Sequence, residues 1–351
     1  MKMTLIKKNS RLTGLLFGVL AIIVALAFTT LVLLVAKAPP LQAFKNIIVG
    51  SVGSWGKISD VVVAWVPLLL ATAGLLATFA AGLWNIGVEG QIMVGAIFTT
   101  GVLRMLMDTG APTGVALVAG FVCGMVGGAL WAALAGVLKI YGGVNEIFSG
   151  LGLNFVATAF TLWLIFGPWK RPGVGSMSGT EPFPQTLWMP MVQGTRFSPW
   201  ALVVGLVGIA VIFVLLQGTY FGLKLKAVGK NHRAAFVIGI PTARYTMAAF
   251  VICGIFAGLA GAVQVMAVYH RLIPSISSGY GFLGLMVGML VNYQAIWAAP
   301  VAFFFAALNI GSIQLPIVLK LDSTLSGVLQ GALVLSVILV DGVRRRMMRK
   351  I

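Results

Sequence analysis

Polar side chains collect at three places in an otherwise apolar sequence, and their types suit hydrogen bonding and helix capping more than bond-breaking chemistry. The first is the run Gly82-Leu83-Trp84-Asn85-Ile86-Gly87-Val88-Glu89-Gly90-Gln91, an indole, two amides and a carboxylate among glycines that let the backbone bend. Two readings of it stay open. Trp84, Asn85, Glu89 and Gln91 line a solute path or clasp a gate where helices are broken, or Asn85 caps the following helix while Glu89 favours its positive N-terminal end. The second place is Gly142-Gly143-Val144-Asn145-Glu146, where Asn145 reads as an N-cap and Glu146 as a first-turn acid. Two turns beyond it stands Asn154, a lone amide between Leu153 and Phe155 that either bonds a neighbouring helix or faces a wet cavity. The third is the basic stretch Lys224–Ile240. There Asn231 can cap a short helix running through Ala234 and Ala235 and ending near Gly239 and Ile240, with Pro241 preventing simple continuation. Its charges alone would fit a plain solvated loop.

Other chemistries lack their residues. His232 and His270 are the only histidines and stand apart, and Cys123 and Cys253 each lie in apolar runs, so no metal-ligand spacing and no catalytic cluster exists. No Gly-x-x-x-x-Gly-Lys-Ser/Thr sequence occurs, so ATP-driven work would need a partner that carries ATP and Mg, and this chain is expected to bind no cofactor itself. Buried acids that could couple an ion gradient are few: Glu89, Glu146 and Asp60, near helix ends.

The elements that must hold these residues are membrane helices. Of 351 residues, 60% are hydrophobic and 9% charged, outside the balance of a soluble domain. Twenty-four Lys and Arg against seven acids could suggest a nucleic-acid binder, but the charges sit at the edges of apolar runs, as membrane orientation requires; no nucleic-acid partner is expected. Ten runs of spanning length can be cut out: Gly14–Ala36, Asp60–Ala80, Val88–Met107, Thr113–Leu138, Glu146–Gly167, Pro199–Gln217, Thr242–Val268, Phe282–Ile296, Ala298–Leu315 and Leu325–Val340. The first is longer than a signal-peptide core and reads as a retained helix. The positive clusters at the N-terminus, at Lys224–Arg244 and at Arg344–Lys350 put both termini in the cytoplasm. Residues 41–55 read either as an interfacial helix or as loop. Glycines four apart, such as Gly124 with Gly128 and Gly254 with Gly258, suit tight helix packing, and Pro67 and Pro300 permit a kink or break. The whole chain, residues 1–351, reads as one transmembrane domain, with a cytoplasmic loop over about 218–241 and its longest extracytoplasmic loop over about 168–198.

In order, Gly82–Gln91, Asn145-Glu146 with Asn154, Leu225–Ile240 and Gly279-Tyr280-Gly281-Phe282 resemble the motifs of permease subunits of ABC importers in the ribose, branched-chain amino acid and nucleoside group, nearest the nucleoside type. The likeness runs from about Pro67 to Gly331; His232, Gly150 and Leu283 depart from the pattern. The resemblance implies an all-α type II importer fold in the inner membrane and import of nucleosides or related small polar solutes, with simple sugars as the alternative and an ion-coupled carrier as a more distant one. It also implies three partners: an ABC ATPase subunit taking up the Ala234–Gly239 helix, a second, similar permease chain, and an extracytoplasmic substrate-binding lipoprotein. Tyr280 joins Trp84, Asn85, Glu89, Gln91 and Asn154 as a candidate for the path.

Overall fold

The computed structural model describes residues 23, 24, 26–35, 37–173, 179–291, 294–320 and 325–348. The basic N-terminal tail, the start of the first expected span, and Arg349 and Lys350 lie outside the described residues. Every regular element among the described residues is helical, as a backbone that must satisfy its own polar groups in lipid requires. In chain order the helices are α1 (Leu26–Val35), α2 (Pro40–Val52), α3 (Trp55–Ala80), α4 (Val88–Leu106), α5 (Thr113–Ile140), α6 (Glu146–Phe166) and α7 (Pro199–Gly218). There follow α8 (Tyr220–Lys230), α9 (His232–Val237), α10 (Thr242–Val263), α11 (Tyr280–Leu290), α12 (Ala295–Ser312), α13 (Gln314–Leu319) and α14 (Leu325–Met348).

Six stretches among the described residues are long and apolar enough to cross a membrane: Trp55–Ala80, Thr113–Ile140, Glu146–Phe166, Pro199–Gly218, Thr242–Tyr269 and Ala295–Leu319. The expected count of about ten is not confirmed among the described residues, and two of the expected runs show why. The run at Val88–Met107 does form a helix, α4, but one whose polar first turn is sheltered by its neighbours. The run at Phe282–Ile296 yields only the 11-residue α11, about 16 Å at 1.5 Å per residue and so roughly half a bilayer core. Pro67 and Pro300 lie inside continuous helices, so neither breaks its span.

Contacts divide the chain into two compact units. In the unit made of residues up to Ile58 and from Ala307 onward, α1 and α2 meet at a bend of 112°. The stretch that read as helix or loop is helical: Pro40 occupies the first turn, where a missing N–H costs nothing, and Ala43, Ile47 and Gly50 recur at helical spacing on a buried face. Ala43 and Ile47 pack with Leu33, Ala38, Leu315 and Leu329.

The second unit, Ser59–Ala306, is organised around α4, α5 and α10. Gly124 and Gly128 of α5 lie directly against Gly258 and Gly254 of α10, and Gly95 of α4 meets Gly258. A methyl group on any of these would overlap a facing backbone, so the small residues four apart set how closely the axes approach. Helices α3 and α10 are largely buried, whereas α5, α6 and α7 bury about a third of their apolar windows and turn the rest outward. The expected outer loop is tied down as well. Thr180 N–H donates to the Leu272 carbonyl (2.9 Å), Phe183 N–H to that of His270 (2.8 Å) and Met189 N–H to that of Met266 (3.0 Å). Trp188 stacks on His270 with ring centroids 3.7 Å apart. The partner strand of chain begins where α10 loosens into a π-helical turn, Gln264–Tyr269, which ends at left-handed His270.

Candidate functional site

Between α3 and α4 the chain leaves the helix at Gly82, whose φ of 72° is a conformation that side-chain-bearing residues rarely adopt. The bend that follows is held by its own amides and by distant ones. Asn85 and Gln91 exchange reciprocal hydrogen bonds of 3.2 Å, and Asn85 Nδ2 lies 3.1 Å from Cys253 Sγ on α10. Asn154, on α6, grips both sides of the bend: its Oδ1 accepts from Gly90 N–H (2.8 Å) and its Nδ2 donates to the Ile86 carbonyl (3.0 Å). An orphan amide at the start of α4 is thus capped by a side chain from another helix, 64 residues away. Of the two readings open for Asn154, bonding to a neighbouring segment describes its geometry. Gly87 and Gly150 touch backbone to backbone beside it.

Glu89 behaves similarly toward a different helix. Its Oε1 accepts from Gly279 N–H (3.1 Å) and its Oε2 from Gly281 N–H (2.8 Å), and the Ser277 hydroxyl also bonds to it. The carboxylate therefore caps the N-terminus of α11, where unpaired amides and the helix dipole favour negative charge. Glu89 lies in the first turn of its own helix, as one of the two sequence readings had it, and its carboxylate also reaches the start of α11. Tyr280, the first residue of α11, follows left-handed Gly279 and is buried, as are Asn85, Glu89, Gln91 and Asn154. Trp84 is the exception: its indole is 37% exposed and sits edge-on to Phe79 with centroids 5.6 Å apart.

The basic stretch folds as α8 and α9. Asn231 caps α9 as its spacing suggested, Oδ1 accepting from Ala234 N–H at 3.0 Å, and Gly239 closes the turn at φ 84°. Ala234 is exposed, but Ala235 is only 2% exposed and packs with Val228 and Ile240. The outward tip is instead Phe236, Val237 and Ile238, at 69%, 82% and 72% exposure. In the last turn of α8, two residues before the α9 cap, Gly229 rests on the backbone of Ala80, Ala81 and Gly82. The basic stretch and the broken helix are thereby one contact apart.

Two participants escape sequence reasoning. Gln264, buried at the π-turn, donates through Nε2 to the Ile276 carbonyl (3.0 Å) and Ser278 Oγ (3.1 Å), steadying the segment that Glu89 caps. A glutamine deep in an apolar run was the available signal. Gly229, within a run of lysines, carried none. The second cluster is as local as its spacing suggests: Asn145 Oδ1 accepts from Ile147 N–H (2.8 Å), and Glu146 pairs with Lys139 at 2.6 Å.

A groove of about 480 Å³ opens beside Trp84, lined among others by Phe79, Gly82, Leu216, Gln217, Lys226 and Lys230. Among the described residues no group of His, Cys, Asp and Glu could hold a metal ion. The arrangement can hold helix ends, bend at glycines and offer an apolar tip to a partner.

Known proteins with similar sequences include ABC transporter permeases. The glucose ABC transporter permease protein TsgB13 of Haloferax volcanii is 27% identical over 337 residues, 93% of this chain and 88% of that one. The guanosine ABC transporter permease proteins NupP and NupQ, both of Bacillus subtilis, are 27% identical over 316 residues (88% of each chain) and 28% identical over 250 residues (68% and 76%). Residues 57–338, which contain the bend, the capped α11 and the basic stretch, match the model of the family described as branched-chain amino acid transport system / permease component. This multi-pass membrane chain therefore belongs to that permease family.

Proposed function

We propose that the chain is the membrane-spanning subunit of an ATP-driven importer for nucleosides or related small polar solutes, working as a single permease domain in the cytoplasmic membrane with both termini inside. The observation that carries this reading is the α9 tip. Two exposed apolar residues on a capped, six-residue helix and a third at its C-cap are costly in water and suit insertion into a cleft on an ATP-hydrolysing subunit, which would hold ATP and Mg. The nucleoside reading draws on the guanosine permeases among the relatives, and the glucose permease supports simple sugars as the second reading. Two similar guanosine permeases in one organism support pairing with a second, non-identical permease chain. An extracytoplasmic binding lipoprotein would deliver solute to the face carrying the 179–198 segment.

In this reading the bend at Gly82–Gln91 borders the solute path, with Trp84 facing it and Asn85, Glu89, Gln91, Asn154 and Tyr280 holding its walls. Movement of α9 reaches the bend through α8 and the Gly229–Gly82 contact. The test is purification of the chain from membranes that also express its neighbouring genes, followed by uptake of labelled guanosine and glucose into vesicles with and without internal ATP. Recovery with an ATPase and ATP-dependent uptake of one solute would support the proposal. A lone chain that transports on an ion gradient would overturn it.

A further inference from the structure

The 480 Å³ groove beside the bend has the size of a small-molecule site. Its chemistry is uneven. Lys226 and Lys230 stand one turn apart on α8, so their ammonium groups share a face, while Gln217 adds an amide and Trp84 a partly exposed ring. Phe79, Leu216 and Leu83 make the remainder apolar. Among the described residues no acid lines the groove, and the ion pair found there, Lys139–Glu146, involves neither of these lysines. Lys224, on the same helix, is exposed but does not line the groove, so orientation of the membrane protein by positive charge does not by itself account for the pair that does.

We propose that this groove binds a phosphate-bearing molecule with a flat ring, of the nucleotide class. The two ammonium groups take the phosphate and the indole stacks on the ring, an arrangement in which cation and aromatic contacts add. Because the groove is lined by both α8 and Gly82–Trp84, a bound molecule would span the Gly229–Gly82 contact and hold α8 against the bend. Under the transport reading this would slow import when the cytoplasmic nucleotide level is high; the binding itself does not depend on that reading.

The phosphate could also come from an anionic lipid headgroup, so the test separates the sources. Full-length chain in nanodiscs of neutral phosphatidylcholine is dialysed against labelled guanosine 5′-monophosphate, with guanosine and inorganic phosphate as competitors. Saturable binding is expected, with guanosine at least ten-fold weaker. K226A/K230A should reduce binding at least ten-fold and Trp84→Leu several-fold, with K224A unchanged. Absence of saturable binding, or binding indifferent to K226A/K230A, overturns the proposal. So does loss of nucleotide binding when the nanodiscs contain phosphatidylglycerol, which would assign the groove to lipid. Trp84→Leu is checked by thermal melting, and a variant that melts like the parent yet binds equally well removes the stacking contact. Uptake is measured separately, so failure of binding and failure of the transport reading give different results.

Discussion

Asn154 serves two groups of one bend at once, and its replacement should show it. Asn154→Leu keeps the side chain's bulk but leaves Gly90 N–H and the Ile86 carbonyl without their partners, each buried orphan costing about 1–3 kcal/mol. A clear drop in melting temperature in detergent is expected, and unchanged melting would mean that water replaces the amide. At Glu89 the two oxygens accept from separate amides. Glu89→Gln retains one acceptor and should lose about 1–2 kcal/mol, while Glu89→Leu, which retains none, should lose more. Equal melting of the two variants would contradict the cap. Ala235 calls for a different use. Because it is buried under α9, a bulky acid there would disturb the fold of the turn before it tested docking. Phe236→Ser, on the exposed tip, should leave melting unchanged and reduce recovery of the ATPase; full recovery would remove α9 as the docking element. Sequence spacing disclosed the caps whose partners are two or three residues away, Asn145 and Asn231. It left Asn154 and Glu89 ambiguous because their partners lie 64 and 190 residues along the chain.

At the scale of elements, close approach of backbones is the repeated device. Gly229 has Ala80 and Gly82 against it, and Gly82 also requires positive φ. Gly229→Ala must push α8 from the bend, whereas Gly327, with open space around it, should accept alanine freely. The expected outcome is that Gly229→Ala lowers uptake several-fold while the chain still assembles with its ATPase. Normal uptake would show that the contact is passive. The glycine spacing made the α5–α10 packing legible, since both members of each pair lie in apolar runs. The Gly229 contact was not, because a glycine among lysines on a surface helix looks like ordinary loop chemistry. The short α11 was hidden for a related reason: hydropathy measures length and apolarity, and neither reveals that α11 begins on a carboxylate from α4.

For the whole molecule, the 179–198 segment and the end of α10 form a pH-sensitive seam. His270 is stacked on Trp188, and burial, with the Arg196 charge, pushes its pKa below the usual 6.5. The folded chain therefore keeps this ring neutral, and the unfolded chain takes up the proton first as pH falls. Its stabilising contribution is complete above pH about 6.5 and is lost as pH drops from there toward the folded value. Melting temperature should decline as pH falls below about 6.5, and His270→Phe, which keeps a ring for Trp188 and cannot titrate, should flatten that part of the profile. An unchanged slope in the variant would assign the acid sensitivity elsewhere.

The bond between Glu89 and the amides of Gly279 and Gly281 has a consequence for how the protein is made. Those amides leave the ribosome 190 and 192 residues after the carboxylate, an interval of about 10–40 s at about 5–20 residues per second. Throughout that interval Glu89 lacks these two partners. This cap therefore joins an early side chain to a late half-helix, and it is completed only in the last part of synthesis.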